Sequence, residues 1–437
     1  MLRPDRNTQI LLLAGALGFL LKLLLLMNTV GTNDAAVWDE NAQKLQTAGV
    51  ETLYREGVRF YRDGISYHNP QMFIHPPPVL HLLAAWNYLS IETGLPVRFW
   101  VRFFGAIADA LSLVILYRLA RYRLKIGISG GLFVIALSPV SLLITGFHGN
   151  TDPIMMLLVL ACVYAVMSGR SAVLAGVLLG GALGIKLAAA IFLPPILFKL
   201  PPWRERIVFM GSAGLTFACA SLPHILTNSF VIVPTITGYS GTFGIWGVPR
   251  IMVLLLEFAN QFQSIHEWFL PIPLLLIAYA QYGKYFVLGI LCVVASQIRT
   301  ANLFLMCGCS AFLFMVLTPG FGVQYLSWTV PWTLLLPVAA GLGYHAVAAT
   351  FIASTYLYWC GGLPCAYANS LLYAGWGGHV ILLELLVWVA VILVLREFRR
   401  RVNDRNSSPV QPASSTEILL QENSSYKMPV CRMQRTE

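Results

Sequence analysis

Long apolar runs separated by brief polar breaks occupy most of this chain, and their lengths set the architecture before any motif does. A run of about 20 apolar residues crosses a bilayer as a helix, which satisfies its own backbone hydrogen bonds in lipid. The first run, Ile10 to Met27, follows Arg3 and Arg6. Its length, the internal Lys22 and the lack of a small-residue cleavage site predict an uncleaved first helix rather than a signal peptide. Further runs extend from Phe99 to Leu119, Ile126 to Gly146, Ile154 to Met167, Ile207 to Leu226 and Phe304 to Leu317. Val79 to Leu89 is short and carries His81 and Asn87, so it reads as an interfacial helix. Ser171 to Leu200 is interrupted by Lys186 and flanked on both sides by basic residues, which predicts a hairpin of two short helices with Lys186 at its apex. Between 251 and 297, Glu257, His266, Glu267 and Lys284 break the pattern into short pieces.

The longest hydrophilic excursion is Thr32 to Pro78, with Asp39, Glu40, Glu51, Glu56, Asp63, Arg59, Arg62 and His68 inside it. Within it Ala36 to Ala48 has helical spacing but is too polar to span, so it is expected along the membrane surface. The Gly-, Tyr- and Trp-rich stretch from Thr227 to Arg250 reads as a second outer loop.

Composition agrees with this pattern. Of 437 residues 57% are hydrophobic and 11% charged, against about 25% charged in soluble domains. The class expected is an all-α polytopic membrane protein with roughly 12–14 transmembrane helices and a long first outer loop carrying interfacial helices. One transmembrane domain, 1–400, with outer loops 32–98 and 227–250, precedes a disordered cytoplasmic tail, 401–437, rich in Ser, Gln, Pro and Glu. The net charge of +10 lies in clusters between apolar runs, such as Arg118, Arg121, Arg123 and Lys125, and Arg396 to Arg405. It is read as orientation of the helices, with both termini cytoplasmic, rather than as a nucleic-acid surface. The eight cysteines show no metal-ligand spacing. They read mostly as buried thiols, and Cys360 with Cys365 is the one pair a disulfide could join.

Orientation by basic residues puts Asn33-Asp34, His75, His148 to Asp152, Gln324-Tyr325 and Lys186 on one side of the membrane. Asp152 or Thr151 could alternatively cap the helix that Pro153 opens, and Lys186 could merely snorkel. Asp109 sits mid-span, where a carboxylate needs a partner. Transporters place polar groups near midplane between repeats; no repeat is evident here, so one-sided chemistry favours an enzyme.

The ordered set Thr32-Asn33-Asp34, Trp38, Gly49, Leu53-Tyr54, His75-Pro76-Pro77, His148-Gly149-Asn150-Thr151-Asp152-Pro153, Lys186-Leu187 and Gln324-Tyr325-Leu326 resembles bacterial integral-membrane glycosyltransferases of the GT-C superfamily, over about residues 9–340. The resemblance implies a GT-C fold, a location in the bacterial inner membrane, and a polyprenyl-phosphate sugar donor, often mannose. It makes Asp34 the catalytic base; Asp39-Glu40 is similar to the acidic pair of a sister branch and is the competitor. Pro78 stands where relatives often have Leu.

Inverting transfer needs one carboxylate to take the acceptor's proton, and a phosphate leaving group needs cationic or hydrogen-bonding partners but no general acid. The candidate substrate-binding residues are Asn33, His75, His148, Asp152, Lys186, Arg250, Gln324 and Tyr325. The acceptor is expected to be a glycolipid or envelope glycan, and no cofactor or metal is expected, a metal bridging Asp34 and Asp152 being disfavoured. The alternative is a multi-pass lipid or polysaccharide transporter or flippase, for which Asp109 and Glu384 are the coupling candidates.

Overall fold

The computed structural model describes residues 5–59, 61–62, 65–66, 70–124, 130–200, 202–239, 241–261, 271–369 and 378–407. Asp63, His68, Lys125, His266, Glu267 and the tail beyond residue 407 therefore lie outside the described residues. The described residues are mostly helical. Among the described residues seven helices are long and apolar enough to cross a membrane: α1 (Arg6–Asn28), α4 (Val97–Leu124), α5 (Gly130–His148), α9 (Trp203–Gly238), α11 (Ile272–Gln297), α14 (Val338–Cys360) and α15, whose span is Gly378–Asp404. Four shorter apolar helices accompany them: α6 (Asp152–Met167), α7 (Ala172–Ile185), α8 (Leu187–Lys199) and α12 (Leu303–Leu317). The remaining helices are α2 (Asn33–Glu56), α3 (Pro78–Thr93), α10 (Gly247–Ala259) and α13 (Val323–Leu335), the last wound as a 3₁₀ helix. The protein is thus all-α and polytopic in character, with seven long apolar helices among the described residues against the 12–14 crossings expected.

Local sequence explains most boundaries. Asp5 caps α1 by accepting from the Thr8 amide at 2.7 Å, and Asn302 caps α12 from the Leu305 amide at 2.7 Å, each satisfying an orphan donor. Proline opens α3, α6 and α11, where its missing N–H is not needed.

Several expectations change. The surface helix of the first loop begins at Asn33 and runs to Glu56 with a kink at Gly49, rather than spanning only Ala36 to Ala48. The anticipated loop from Thr227 is helical to Gly238, because Asn228 bends α9 without ending it; the loop proper starts at Tyr239. Residues 401–407, assigned to the tail, continue α15 (Gly378–Ser407). Gln324-Tyr325, expected in a polar turn, opens the buried 3₁₀ helix α13. Cys360 and Cys365 are joined in a disulfide, whereas Cys219 and Cys292 are exposed thiols rather than buried ones.

Lys186 separates α7 from α8 in extended conformation. The ion pair of Lys186 with Asp152 sets the end of α7 beside the start of α6. Lys199, at the far end of α8, reaches the carbonyl of Ala301 at 2.7 Å, just before α12. The chain therefore reverses at Lys186, as the flanking charges implied. The same reasoning puts the basic residues at the opposite end of the bundle: Arg123 of α4 bonds Ser168 beyond α6 at 3.2 Å.

Among the described residues three two-residue strand pairs occur, two of them joining segments far apart in the chain. β1 (Gly31–Thr32) lies parallel to β6 (Tyr367–Ala368), β2 (Tyr61–Arg62) antiparallel to β3 (Ile65–Ser66), and β4 (Thr242–Phe243) antiparallel to β5 (Gly320–Phe321). Beside β1 the guanidinium of Arg102, only 1% exposed, donates to the carbonyls of Leu26 (3.1 Å), Thr29 (3.0 Å) and Gly146 (3.4 Å) and to Thr29 Oγ1 (3.2 Å). It thereby joins the end of α1 to α5. No carboxylate is needed, because carbonyl oxygens at a helix C-terminus carry partial negative charge. Arg102→Leu is expected to strand the buried carbonyls of Leu26 and Gly146, at about 1–3 kcal/mol each. Thermal unfolding in detergent should show a lowered midpoint, only partly recovered in Arg102→Lys, whose ammonium lacks the planar fork.

Candidate active site

Asp34 lies in the first turn of α2, immediately after β1. Its neighbour across the chain is His148, at the end of α5, with Nε2 3.0 Å from Asp34 Oδ2. Two glycines permit that approach. A Cβ on Gly31, at φ 95°, would sit 2.3 Å from the Phe147 carbonyl, and one on Gly149, at φ 79°, would sit 2.8 Å from Ala35 Cβ. Thr32 Oγ1 then donates to the His148 carbonyl at 2.8 Å, and Trp38 Nε1 to the Gly149 carbonyl at 3.1 Å. On its other nitrogen His148 meets Tyr356 Oη at 2.9 Å. Asn33 is buried with its amide 3.5 Å from Asp34 Oδ1.

The second half of the site is the ion pair between Asp152 and Lys186. Lys186 Nζ donates to both carboxylate oxygens at 2.9 Å, and Trp328 Nε1 also donates to Asp152. The Asp152 side chain is fully buried. The ammonium lies 5.4 Å from the centre of the Tyr325 ring and 5.6 Å from that of Trp328, a cation–π arrangement. Helix capping by Asp152 is therefore ruled out: Thr151 holds the cap position, without a side-chain bond.

His75 stands between these halves. Trp38 lies against its ring, with centroids 4.8 Å apart, and Tyr54 Oη holds its carbonyl at 2.6 Å. Burial, and next the positive charge of Lys186, push its pKa down to about 3. It is neutral at physiological pH. For Asp34 burial is the largest single influence and opposes ionisation, but the His148 hydrogen bond, with the electrostatic influence of His148, Lys186 and His75, outweighs it and lowers the pKa.

Two cavities meet here. A polar one of about 540 Å³ is walled by Asp34, Trp38, Asn41, Gln71, Asn150 and Gln324 among others. An apolar one of about 320 Å³ runs between α8, α9 and α11, past Ile191, Ile236, Val287, Leu288 and Leu291. His75, Lys186 and Tyr239 line both. The side chain of Asp34 is 39% exposed, toward the polar cavity.

Of the candidate residues, Asp34, Asn33, His75, His148, Asp152, Lys186, Gln324 and Tyr325 are gathered at this junction, whereas Arg250 is not. Arg250 is 9% exposed and turned toward fully buried Glu384, with Nε 3.9 Å from Oε2. Placed in the first turn of α10, it follows that helix into the bundle. The coupling candidate Asp109 likewise has a partner, receiving Lys22 at 2.6 Å, Ser141 at 2.6 Å and Thr145 at 2.7 Å. Asp39 is held by the amide (2.9 Å) and guanidinium of Arg98. Tyr356 and Trp328 were missed; each is an aromatic in an apolar run, a pattern shared with ordinary core residues. Among the described residues no group of three or more His, Cys, Asp or Glu is arranged to hold a metal ion.

Fold and site together define a multi-pass, all-α membrane-type protein with a carboxylate-bearing polar cavity opening beside an apolar one. No family model matches the chain, and no curated protein is significantly similar to it.

The His75 shift predicts a pH dependence of stability. The unfolded chain gains a proton near pH 6.5 that the folded chain refuses until about pH 3, so this contribution is complete above pH 6.5 and is lost as pH falls. The slope is at most about 1.4 kcal/mol per pH unit. Denaturant unfolding in detergent between pH 7 and 5 should be less steeply pH-dependent in His75→Gln than in the unaltered protein.

Proposed function

We propose that this protein is an inverting glycosyltransferase of GT-C type that moves a hexose, mannose by preference, from a polyprenyl-phosphate donor to a lipid-linked or envelope acceptor. The observation that carries the reading is the junction of the two cavities: an ionised carboxylate faces the polar one, and an apolar one begins at the same lysine. A donor whose chain lay among Ile191, Ile236 and Leu291 would have its phosphate near Lys186 and its sugar in the polar cavity.

Asp34 takes the proton of the acceptor hydroxyl as that oxygen attacks the anomeric carbon; the phosphate departs with the bonding pair. The Lys186 ammonium and the hydroxyls of Tyr325 and Tyr239 beside it offer charge and hydrogen bonds to the departing anion. An anionic donor beside Lys186 also offsets the positive field that depresses Asp34, raising its basicity when substrate is bound. Asp39 is a weaker candidate for the base, since Arg98 occupies both of its oxygens. In this reading the cavity end faces outward and the basic end lies in the cytoplasm.

Asp34→Asn keeps the shape of the side chain but cannot accept the proton. Turnover with labelled polyprenyl-phosphate mannose and mixed glycolipid acceptors should fall by about 10²–10⁴-fold, with donor binding retained; Asp39→Asn should lose stability rather than turnover. Near-normal turnover in Asp34→Asn with Asp39→Asn inactive would move the base to Asp39. Substrate movement without bond making would point to the transporter. Cysteines placed at Gln46 and Thr242 should react with an impermeant thiol reagent from outside in intact cells, and one at Ser407 should not.

A further inference from the structure

Lys284 lies near the middle of α11, in a helix whose other residues are mostly apolar. It lines the same 320 Å³ cavity as Lys186, with Val287, Leu288 and Leu291 of its own helix. Its Nζ donates to the carbonyl of Thr237, in the last turn of α9, and lies 5.4 Å from the centre of the Tyr285 ring. Neither partner carries a full negative charge. An ammonium at mid-helix in an apolar segment is costly and marks an ion path or a ligand. Lys186 differs: Asp152 neutralises it through both carboxylate oxygens. Among the described residues the charge left without a carboxylate partner in this cavity is therefore that of Lys284.

We propose that Lys284 binds the phosphate headgroup of a lipid whose hydrocarbon chain occupies the apolar cavity. The cavity is lined by aliphatic side chains for the chain, has Lys284 and Lys186 for the anion, and opens at His75 and Tyr239 into the polar space. One neutralised ammonium and one without a carboxylate partner among the described residues match an anion of low charge, as in a lipid phosphate. The inference rests on the donor reading for where the lipid lies, but not on sugar transfer.

The bond to Thr237 suggests a different role, capping the C-terminus of α9, and the test must separate the two. Lys284→Gln keeps a donor for that carbonyl and removes the charge, whereas Lys284→Arg keeps the charge. Binding of farnesyl phosphate to the full-length protein in detergent, followed by native mass spectrometry, is compared with binding of farnesol and of inorganic phosphate. Farnesyl phosphate should bind the unaltered protein and the Arg variant, and roughly 10- to 100-fold more weakly the Gln variant. Farnesol should bind all three equally.

Equal binding of farnesyl phosphate by the Gln variant, or none by the unaltered protein, would reduce Lys284 to a helix cap. Inorganic phosphate binding as tightly, with the same dependence on Lys284, would make the ligand a free anion and overturn the lipid assignment. Lys284-dependent binding in a protein that transfers no sugar would leave the inference standing and remove the glycosyltransferase. Transfer combined with unaffected binding in Lys284→Gln would do the reverse.

Discussion

A buried ion pair organises this protein. Asp152 is wholly enclosed, and in so apolar a setting its charge is tolerable only because Lys186 and Trp328 both donate to it. Removing one partner from such a pair typically costs about 3–5 kcal/mol, since the other charge is left uncompensated. The requirement is geometric as well as energetic. It forces the start of α6, the break between α7 and α8, and the buried helix α13 to converge at one point. The extended residue at 186 is the backbone consequence: helix α7 ends there so that its lysine can turn toward Asp152.

Around that point the electrostatics are graded. Lys186 lowers the affinity of His75 for a proton and, with His148, raises the acidity of Asp34. The cavity thus holds a neutral imidazole and an ionised carboxylate side by side. Where the polar and apolar cavities join, water-facing groups give way to aliphatic walls. An amphiphile with a polar head and a long chain has the matching shape, and Lys284 extends the positive region into the apolar part.

The site draws on residues from 34 to 356, and long-range tethers hold those segments in register. Arg102 satisfies carbonyls at the end of α1 and in α5, fixing the backbone on either side of β1. The pairing of β1 with β6 secures the segment that leads into Asp34, while β4 with β5 secures the approach to α13. Each tether is short. At β1 and β6 the burial of Thr32 and Ala368 excludes water, which strengthens the hydrogen bonds between them.

The apolar runs and the distribution of basic residues determined the helical, polytopic class, the reversal at Lys186 and the clustering of Asp34, His75, His148, Asp152 and Lys186 at one end. Helix length and charge asymmetry are local properties, so a linear reading reaches them. Partner choice is not local. Arg250 looked as available as Lys186 in the sequence, and only packing of α10 against α15 turned it toward Glu384. In the same way, packing gave Asp109 to Lys22 and Asp39 to Arg98. Tyr356 and Trp328 reached the site because α14 and α13 deliver them there, although their own surroundings in the chain are those of core aromatics. The continuation of α9 past Asn228 was likewise a tertiary outcome, with Ile232 and Ile236 buried along it. The sequence determined which groups could be charged and which segments could lie in lipid; the tertiary structure decided which charges neutralise each other and which remain to meet a ligand, because that depends on distances between residues far apart in the chain.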